Sequence, residues 1–497
     1  MKSDVSVRHA SCCGNVNRRV FLSDCGMGFT GLVLGAMLQR DGILRASSTA
    51  SVEWNLPEGK PHFAPKAKSV IWLFMNGGVS HLESFDPKPE LNKYAGYSID
   101  ETPYKKVLDS PFVKKNVQEV VADRKMMKKI FPLQVGHKKR GQSGIEVTDW
   151  WPNVAGCVDD LAIVRSMWTT DNDHGAQLQF HQGRHAFDGF FPSIGSWVHY
   201  GLGSLNENLP QFIVFAEPEG NHQLRSFDAN YLGPKHSGVL LATDPKNPLP
   251  FGTRSPEILS EEQKAEFEFI QEMNQFAAVQ YPNDTAIRAR IKSYELAFKM
   301  QAEIPRVFDF NEEKEEIRRL YGLDQETTRP FGEVLLTARR LVERGVRFVQ
   351  IVHGKGTAGA WDAHSELKKN HSELCAKVDQ PIAGLLKDLK QRGLLDETLV
   401  VWGTEFGRTP GVEGNKGGRD HHPFGFSTWL AGGGIKGGVT HGATDELGFH
   451  AVEDRHYVTD LHATVLHQLG LDPHKLEVPG HKRLEIDFGK PIQEIIA

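Results

Sequence analysis

The sequence predicts an α/β fold: a doubly wound, mostly parallel central sheet flanked by helices, with a helical insertion. Three observations predict it. Short, near-continuous apolar runs recur along the chain, segments of helical periodicity alternate with them, and polar residues cluster just after the runs end. With 497 residues, 39% hydrophobic and 24% charged, the composition is that of an ordinary globular chain with room for one large α/β domain or two smaller ones.

"SVIWLFM" (69–75) is apolar throughout and stops at Asn-Gly-Gly, as a strand buried on both faces does. "LAIVRSM" (161–167), "QFIVFA" (211–216), "VRFVQIVHG" (346–354), "TLVVWGT" (398–404) and "FSTWLAG" (426–432) repeat the pattern. "TRPFGEVLLTARRLVERG" (328–345) and "CAKVDQPIAGLLKDLKQRG" (375–393) have helical spacing. Residues 255–330 are charged and helical, and carry no chemical motif. They read as an insertion packed on the sheet, within a single domain spanning 67–490.

The first 50 residues read as an export leader. Arg18 and Arg19 precede "GMGFTGLVLGAML" (26–38), an apolar run of 13 residues that is too short to span a bilayer. A paired arginine before a weak hydrophobic region is the twin-arginine pattern, with cleavage expected after Ala50 and a linker over 51–66. This implies the twin-arginine machinery as a partner, a periplasmic or extracellular location, and no stable transmembrane span in the mature chain. Cys157 and Cys375 remain after the leader, too far apart for a disulfide framework, and are expected to be free and buried. A net charge of -5, from 58 basic and 63 acidic residues, gives no support for nucleic-acid binding.

In open α/β sheets ligands bind beyond the carboxyl ends of the strands. After "FVQIVHG" comes "WDAHSE", with Asp362 and His364. After "LVVWGT" come Glu405 and Arg408, and Asp420, His421 and His422 precede the next strand. Carboxylates and neutral imidazoles are ligands for zinc, manganese and similar ions. Each residue alone also fits a loop polar group or a helix cap; together they point to a metal site. Beyond "LAIVRSM", Thr169, Thr170, Asp171, Asn172 and Asp173 approach a helical stretch closed by Gly183. They can cap that helix, and its N-terminus can seat a tetrahedral oxyanion.

These stretches, with "VIWLFMNGGVSHLESFDPKPEL" (70–91), "GQSGIEVTDWWPNVAGCVDDLAIVRSM" (141–167) and "YVTDLHATVLHQLGLD" (457–472), resemble a bacterial twin-arginine-exported family of unknown function, DUF1501. That family is assigned to the alkaline phosphatase/sulfatase-like superfamily. The resemblance implies an Asp-His metal pair ahead of a second acidic ligand; Asp362 and His364 precede Glu405 by 43 and 41 residues. It assigns a further ligand to His421 or His422. The metal-binding Asp of the first strand falls near Asn76, where His81, Glu83 or Asp86 can substitute. Sulfatases carry C-x-P-S-R where this chain has Asp173, so formylglycine chemistry is disfavoured.

The resemblance thus implies an exported hydrolase of phosphate or sulfate esters, small-molecule or glycan, using one or two divalent ions (zinc, calcium, magnesium or manganese). The candidate catalytic residues are Thr170, Asp173, His174 and Arg408. Arg408 would clamp the oxyanion, and either a threonine or a metal-activated water would be the nucleophile. The alternative is an inactive sulfatase-like protein that binds sulfated or phosphorylated glycans at the cell envelope.

Overall fold

The six apolar runs read as strands all become strands of one sheet. The structure, a computed structural model, describes residues 57–109, 127–216, 226–243, 260–280 and 285–497. The leader (1–50) and the first part of the linker lie outside the described residues.

The strands are β1 (Ser69–Met75), β2 (Leu161–Trp168), β3 (Phe212–Phe215), β4 (Val239–Leu241), β5 (Phe348–His353), β6 (Thr398–Gly403), β7 (Phe426–Ala431), β8 (Val439–His441) and β9 (His456–Tyr457). They form a nine-stranded sheet in the order β8-β2-β7-β6-β1-β5-β3-β4, with β9 also pairing β2. Every pairing is parallel except those of β7, which runs antiparallel to both β2 and β6. A parallel return needs a crossover, usually a helix. Residues 404–425, which join β6 to β7, contain no helix.

The helices are α1 (Ala176–Gln182), α2 (Ile194–Leu202), α3 (Ser260–Gln280), α4 (Thr285–Phe308), α5 (Arg329–Glu343), α6 (Leu367–Gln391) and α7 (Val458–Gln468). Side chains of β1 alternate between two cores. Ile71, Leu73 and Met75 pack with α5 and α6, and Val70, Trp72 and Phe74 with α1, α2 and α7. A strand covered on both faces must be apolar at every position, which explains the unbroken run. In the region read as an insertion, α3 and α4 pair through the stacked rings of Phe267 and Phe298, 3.9 Å apart. Cys157 and Cys375 are free and buried. Among the described residues no helix is long and apolar enough to cross a membrane.

His181 of α1 is fully buried among Trp72, Phe74 and Phe180. Neither ring nitrogen has a hydrogen-bond partner among the described residues. Burial, aided by nearby His462, pushes its pKa down to about 3. Between that value and the ordinary 6.5 the unfolded chain binds a proton that the folded chain does not, so stability falls as pH falls through this window. At pH 5 the penalty is about 2 kcal/mol. His181→Leu should therefore lose about that much less stability between pH 7.5 and pH 5, as read from urea midpoints.

Candidate metal centre

The parallel strands deliver their carboxyl ends to one rim, and antiparallel β7 enters from that same rim. Beyond β1 lies the turn Asn76-Gly77-Gly78; beyond β5, Asp362 and His364; beyond β6, Glu405; beyond β2, His174. His421 and His422 precede β7 and pair with Arg408 and Gly407 in a short antiparallel ladder.

Local packing explains how these loops are held. Gly77 and Gly78 have φ of +119° and +80°. A Cβ on Gly77 would meet the Asp362 amide nitrogen at 2.5 Å, and one on Gly78 would meet the Phe406 ring at 2.3 Å. Only glycine lets the chain pass there. Glu405 is fully buried, and its carboxylate accepts the amides of Gly77 (2.9 and 3.1 Å) and Gly78 (3.2 Å) and the Thr404 hydroxyl (3.0 Å). The carboxylate at the mouth of β6 thus ties down the turn that ends β1. Trp361 stacks on Trp151, donates to His353 Nδ1 at 3.0 Å and bonds through its amide to the Asn76 carbonyl, fixing the residue before Asp362.

Three donor atoms meet at the centre. Asp362 Oδ1 lies 3.1 Å from His364 Nε2 and 3.0 Å from His421 Nε2, and the two imidazole nitrogens are 2.9 Å apart. The other nitrogen of each ring is committed. His421 Nδ1 is 3.0 Å from the Asn172 carbonyl, and His364 Nδ1 is 2.5 Å from Glu413 Oε2. A carbonyl only accepts, so His421 carries its proton on Nδ1 and turns the Nε2 lone pair toward Asp362. Burial, opposed by the Asp362 hydrogen bond, lowers the His421 pKa to about 3, so the ring stays neutral.

Lone pairs facing one another at this distance repel unless a metal ion or a proton lies between them. The hydrogen bond to Asp362 raises the His364 pKa, which marks His364 as the ring that takes up the proton when no ion is bound. Coordination bonds of about 2.1 Å place neighbouring ligand atoms about 3 Å apart at octahedral angles and about 3.4 Å apart at tetrahedral ones, so the edges of 2.9–3.1 Å match the octahedral spacing. Two imidazoles and a carboxylate also form a donor set suited to a divalent transition ion. The residues therefore fit a metal, and the partners on the outer nitrogens are what orient such ligands.

His174 flanks the group. Its Nε2 is 3.3 Å from Asp362 Oδ2 and its Nδ1 3.5 Å from Glu405 Oε1. Burial lowers its pKa, but the two carboxylates outweigh this and push it up to about 9. Asp362 is held well below the usual carboxylate range. Burial opposes that, and hydrogen bonds from His174, His364 and His421 and the charge of Arg408 overcome it. Asp173, whose Oδ1 accepts the His174 amide at 2.8 Å, forms a further potential ligand group with His174 and His421.

The family described as "Protein of unknown function (DUF1501)" matches residues 67–496. The chain belongs to this DUF1501 family. No curated protein matches the sequence. Similar solved structures include the PsFucS1 sulfatase from Pseudoalteromonas sp., 12% identical over 88% of this chain and 73% of that one, with TM-score 0.35. The lipoteichoic acid synthase LtaP from Listeria monocytogenes is 8% identical over 89% and 79%, with TM-score 0.36. The phosphonate monoester hydrolase SpPMH from Silicibacter pomeroyi is 11% identical over 69% and 71%, with TM-score 0.34. Likenesses this remote carry no argument for the chain.

Several expected residues do not join the centre of this DUF1501 chain. His422 follows His421 on an extended strand and so points the opposite way. It stacks on Phe449, with Nε2 3.1 Å from His450 Nδ1. His81 Nε2 is committed to the Gly448 carbonyl at 2.7 Å. Asp86 is neutralised by Lys88 (3.0 Å) and Arg165 (3.6 Å), and Glu83 by Arg419 (2.7 Å). Arg408, expected as an oxyanion clamp, is fully buried and braces the rim instead. It donates to the carbonyls of Gly78 (2.8 Å), Arg419 (3.0 Å) and Gly77 and to Asp362 Oδ1 (2.9 Å). The Thr170 hydroxyl accepts from Gln179 Nε2 at 2.8 Å. Thr170 lines a separate cleft of about 1040 Å³ with Trp168, His185, Arg455 and Tyr457.

Glu413 went unnoticed in the sequence. It sits in the glycine-rich loop "GVEGNKGG", closed by paired backbone bonds between Glu413 and Gly418 at 2.9 and 3.1 Å. Its only signal was a lone carboxylate between glycines. The Asn172 carbonyl, a backbone group, left no signal at all.

Proposed function

We propose that this chain is an exported, metal-dependent hydrolase of phosphate or sulfate esters. The observation that carries the reading is the triangle of Asp362 Oδ1, His364 Nε2 and His421 Nε2, with edges of 2.9–3.1 Å. These residues would hold the ion, with Glu413 and the Asn172 carbonyl keeping the two rings in the ligating tautomer. A divalent ion, when bound, supplies Lewis-acid polarisation of an ester oxygen and acidifies a water molecule. Arg408 keeps Asp362 ionised and aimed at the centre. His174, between Asp362 and Glu405, would place positive charge beside the centre, which favours an anionic ester. With Thr170 facing another cleft, water is the nucleophile this reading requires. The resemblance of the sequence to the alkaline phosphatase/sulfatase-like superfamily supports the reaction class, and "NRRVFLSD" supports export.

One observation favours a second reading, a metal-bearing binder of sulfated or phosphorylated glycans. Among the described residues the side-chain partners of Asp362 are His174, His364, His421 and Arg408, none of them a serine, threonine or cysteine. Metal analysis of the purified chain, with a screen of aryl phosphates and sulfates, separates the two. The hydrolase reading expects bound divalent metal and turnover that chelation removes and the ion restores. Bound metal without turnover would favour the binder, and a metal-free chain with undiminished turnover would sink the metal centre.

A further inference from the structure

A second imidazole pair lies at the opposite edge of β2 from β7. β8 and β9 both dock there, His441 opposite Val164 and His456 opposite Met167. The chain leaves the sheet at His441, makes a small hairpin in which Ala443 pairs with Glu453, and returns at His456. His441 Nε2 and His456 Nε2 face each other at 2.9 Å. Glu494, from the turn Gln493–Ile495, brings Oε2 to 3.8 Å from His441 Nε2.

One further partner makes this more than two rings in contact. His456 Nδ1 lies 3.1 Å from Asp460 Oδ2, in the first turn of α7. A carboxylate on Nδ1 draws the proton to that side and leaves the Nε2 lone pair facing His441, the arrangement that orients metal-bound histidines. The Asp460 carboxylate is itself held, accepting the Lys490 amide at 2.8 Å. Both rings are largely covered, with side-chain exposures of 10% and 16%, while Glu494 is 61% exposed.

We propose that His441, His456 and Glu494 bind a transition-metal ion of the zinc class, with Asp460 orienting His456. Two imidazoles and one carboxylate suit such an ion and not magnesium or calcium, which take oxygen ligands. The ion joins the two ends of the 442–455 excursion and ties the C-terminal turn to the sheet edge. Cross-linking a loop in this way stabilises by restricting the unfolded chain. The same excursion carries His450, the partner of His422, so the ion also steadies the wall behind the rim.

Zinc stoichiometry of the metal-stripped full-length chain, measured by mass spectrometry after dialysis, tests this. The His441→Ala/His456→Ala double variant should bind one equivalent fewer than the parent chain, and Asp460→Asn should weaken the same equivalent about 10–100-fold. Asp362→Asn should remove a different equivalent, so failure at the rim and failure here are read separately. A double variant with undiminished stoichiometry would overturn the proposal. If that variant does not fold, labelling of the parent chain with diethyl pyrocarbonate decides. Zinc should protect His441 and His456, and equal labelling with and without zinc refutes the site.

Discussion

Asp362→Asn should strip the rim of its metal and reduce ester turnover by at least about 100–1,000-fold, at a cost in stability because buried Arg408 loses its counter-charge. One oxygen of Asp362 is shared by His364 (3.1 Å), His421 (3.0 Å) and Arg408 (2.9 Å), and the other faces His174 at 3.3 Å. Asparagine keeps the shape but removes the charge that balances an ion and the guanidinium. The loss in metal affinity should exceed the 10–100-fold expected for a group that only orients a ligand. Glu413→Gln is the internal comparison: it touches His364 from outside and should fall within that smaller range. Metal content and turnover of the two variants, measured side by side, check the order. Equal metal retention in Asp362→Asn and the parent chain would remove Asp362 from the ligand set.

Glu83→Gln should destabilise the chain by about 3–5 kcal/mol, the largest stability effect expected from a single polar change here. Arg419 and Glu83 are both fully buried, with Nη2 to Oε1 at 2.7 Å and Nε within 3.2 Å of both carboxylate oxygens. The remaining donors of Arg419 hold the carbonyls of Thr409 (3.2 Å), Pro410 (2.9 Å), Phe131 (3.1 Å) and Pro132 (3.1 Å). Removing one charge leaves the other buried without its counter-charge, which costs far more than the intact pair contributes. Arg419 directly precedes Asp420 and His421, so loosening it also shifts a proposed ligand. Urea unfolding of Glu83→Gln should show a lower midpoint with an unchanged slope. Glu83→Leu combined with Arg419→Met should recover part of the loss. A single variant as stable as the parent would show that water reaches the pair.

The fold was legible because burial on two faces writes itself into local sequence. "SVIWLFM" has no polar face, so it had to be an inner strand. β4, β8 and β9 were not legible: they are edge strands of only two or three residues, too short to stand out as apolar runs. The direction of β7 was also hidden, since a run of apolar residues reads the same whichever way it pairs. At the rim, the sequence marked Asp362, His364 and His421 by their position after or before strands. It could not separate His421 from His422, because adjacent residues on a strand face opposite sides and only the pairing with Arg408 and Gly407 sets which side is which. Arg408 and Glu405 read as ligand-binding groups, and the structure shows both buried and bonded to backbone amides or carbonyls of the rim, since a side chain's charge is visible in sequence and its partners are not.

By itself the sequence determined the α/β class, the inner strands, and the edge of the sheet at which carboxylates and imidazoles would gather. These follow from apolar periodicity and from where loops must lie. Only the tertiary structure decided which of those groups meet within 3.1 Å, which are spent holding backbone amides and carbonyls, and that Glu413 and a main-chain oxygen orient the imidazoles. Those outcomes depend on contacts between residues far apart in the chain, and on the direction each side chain takes once both faces of the sheet are filled.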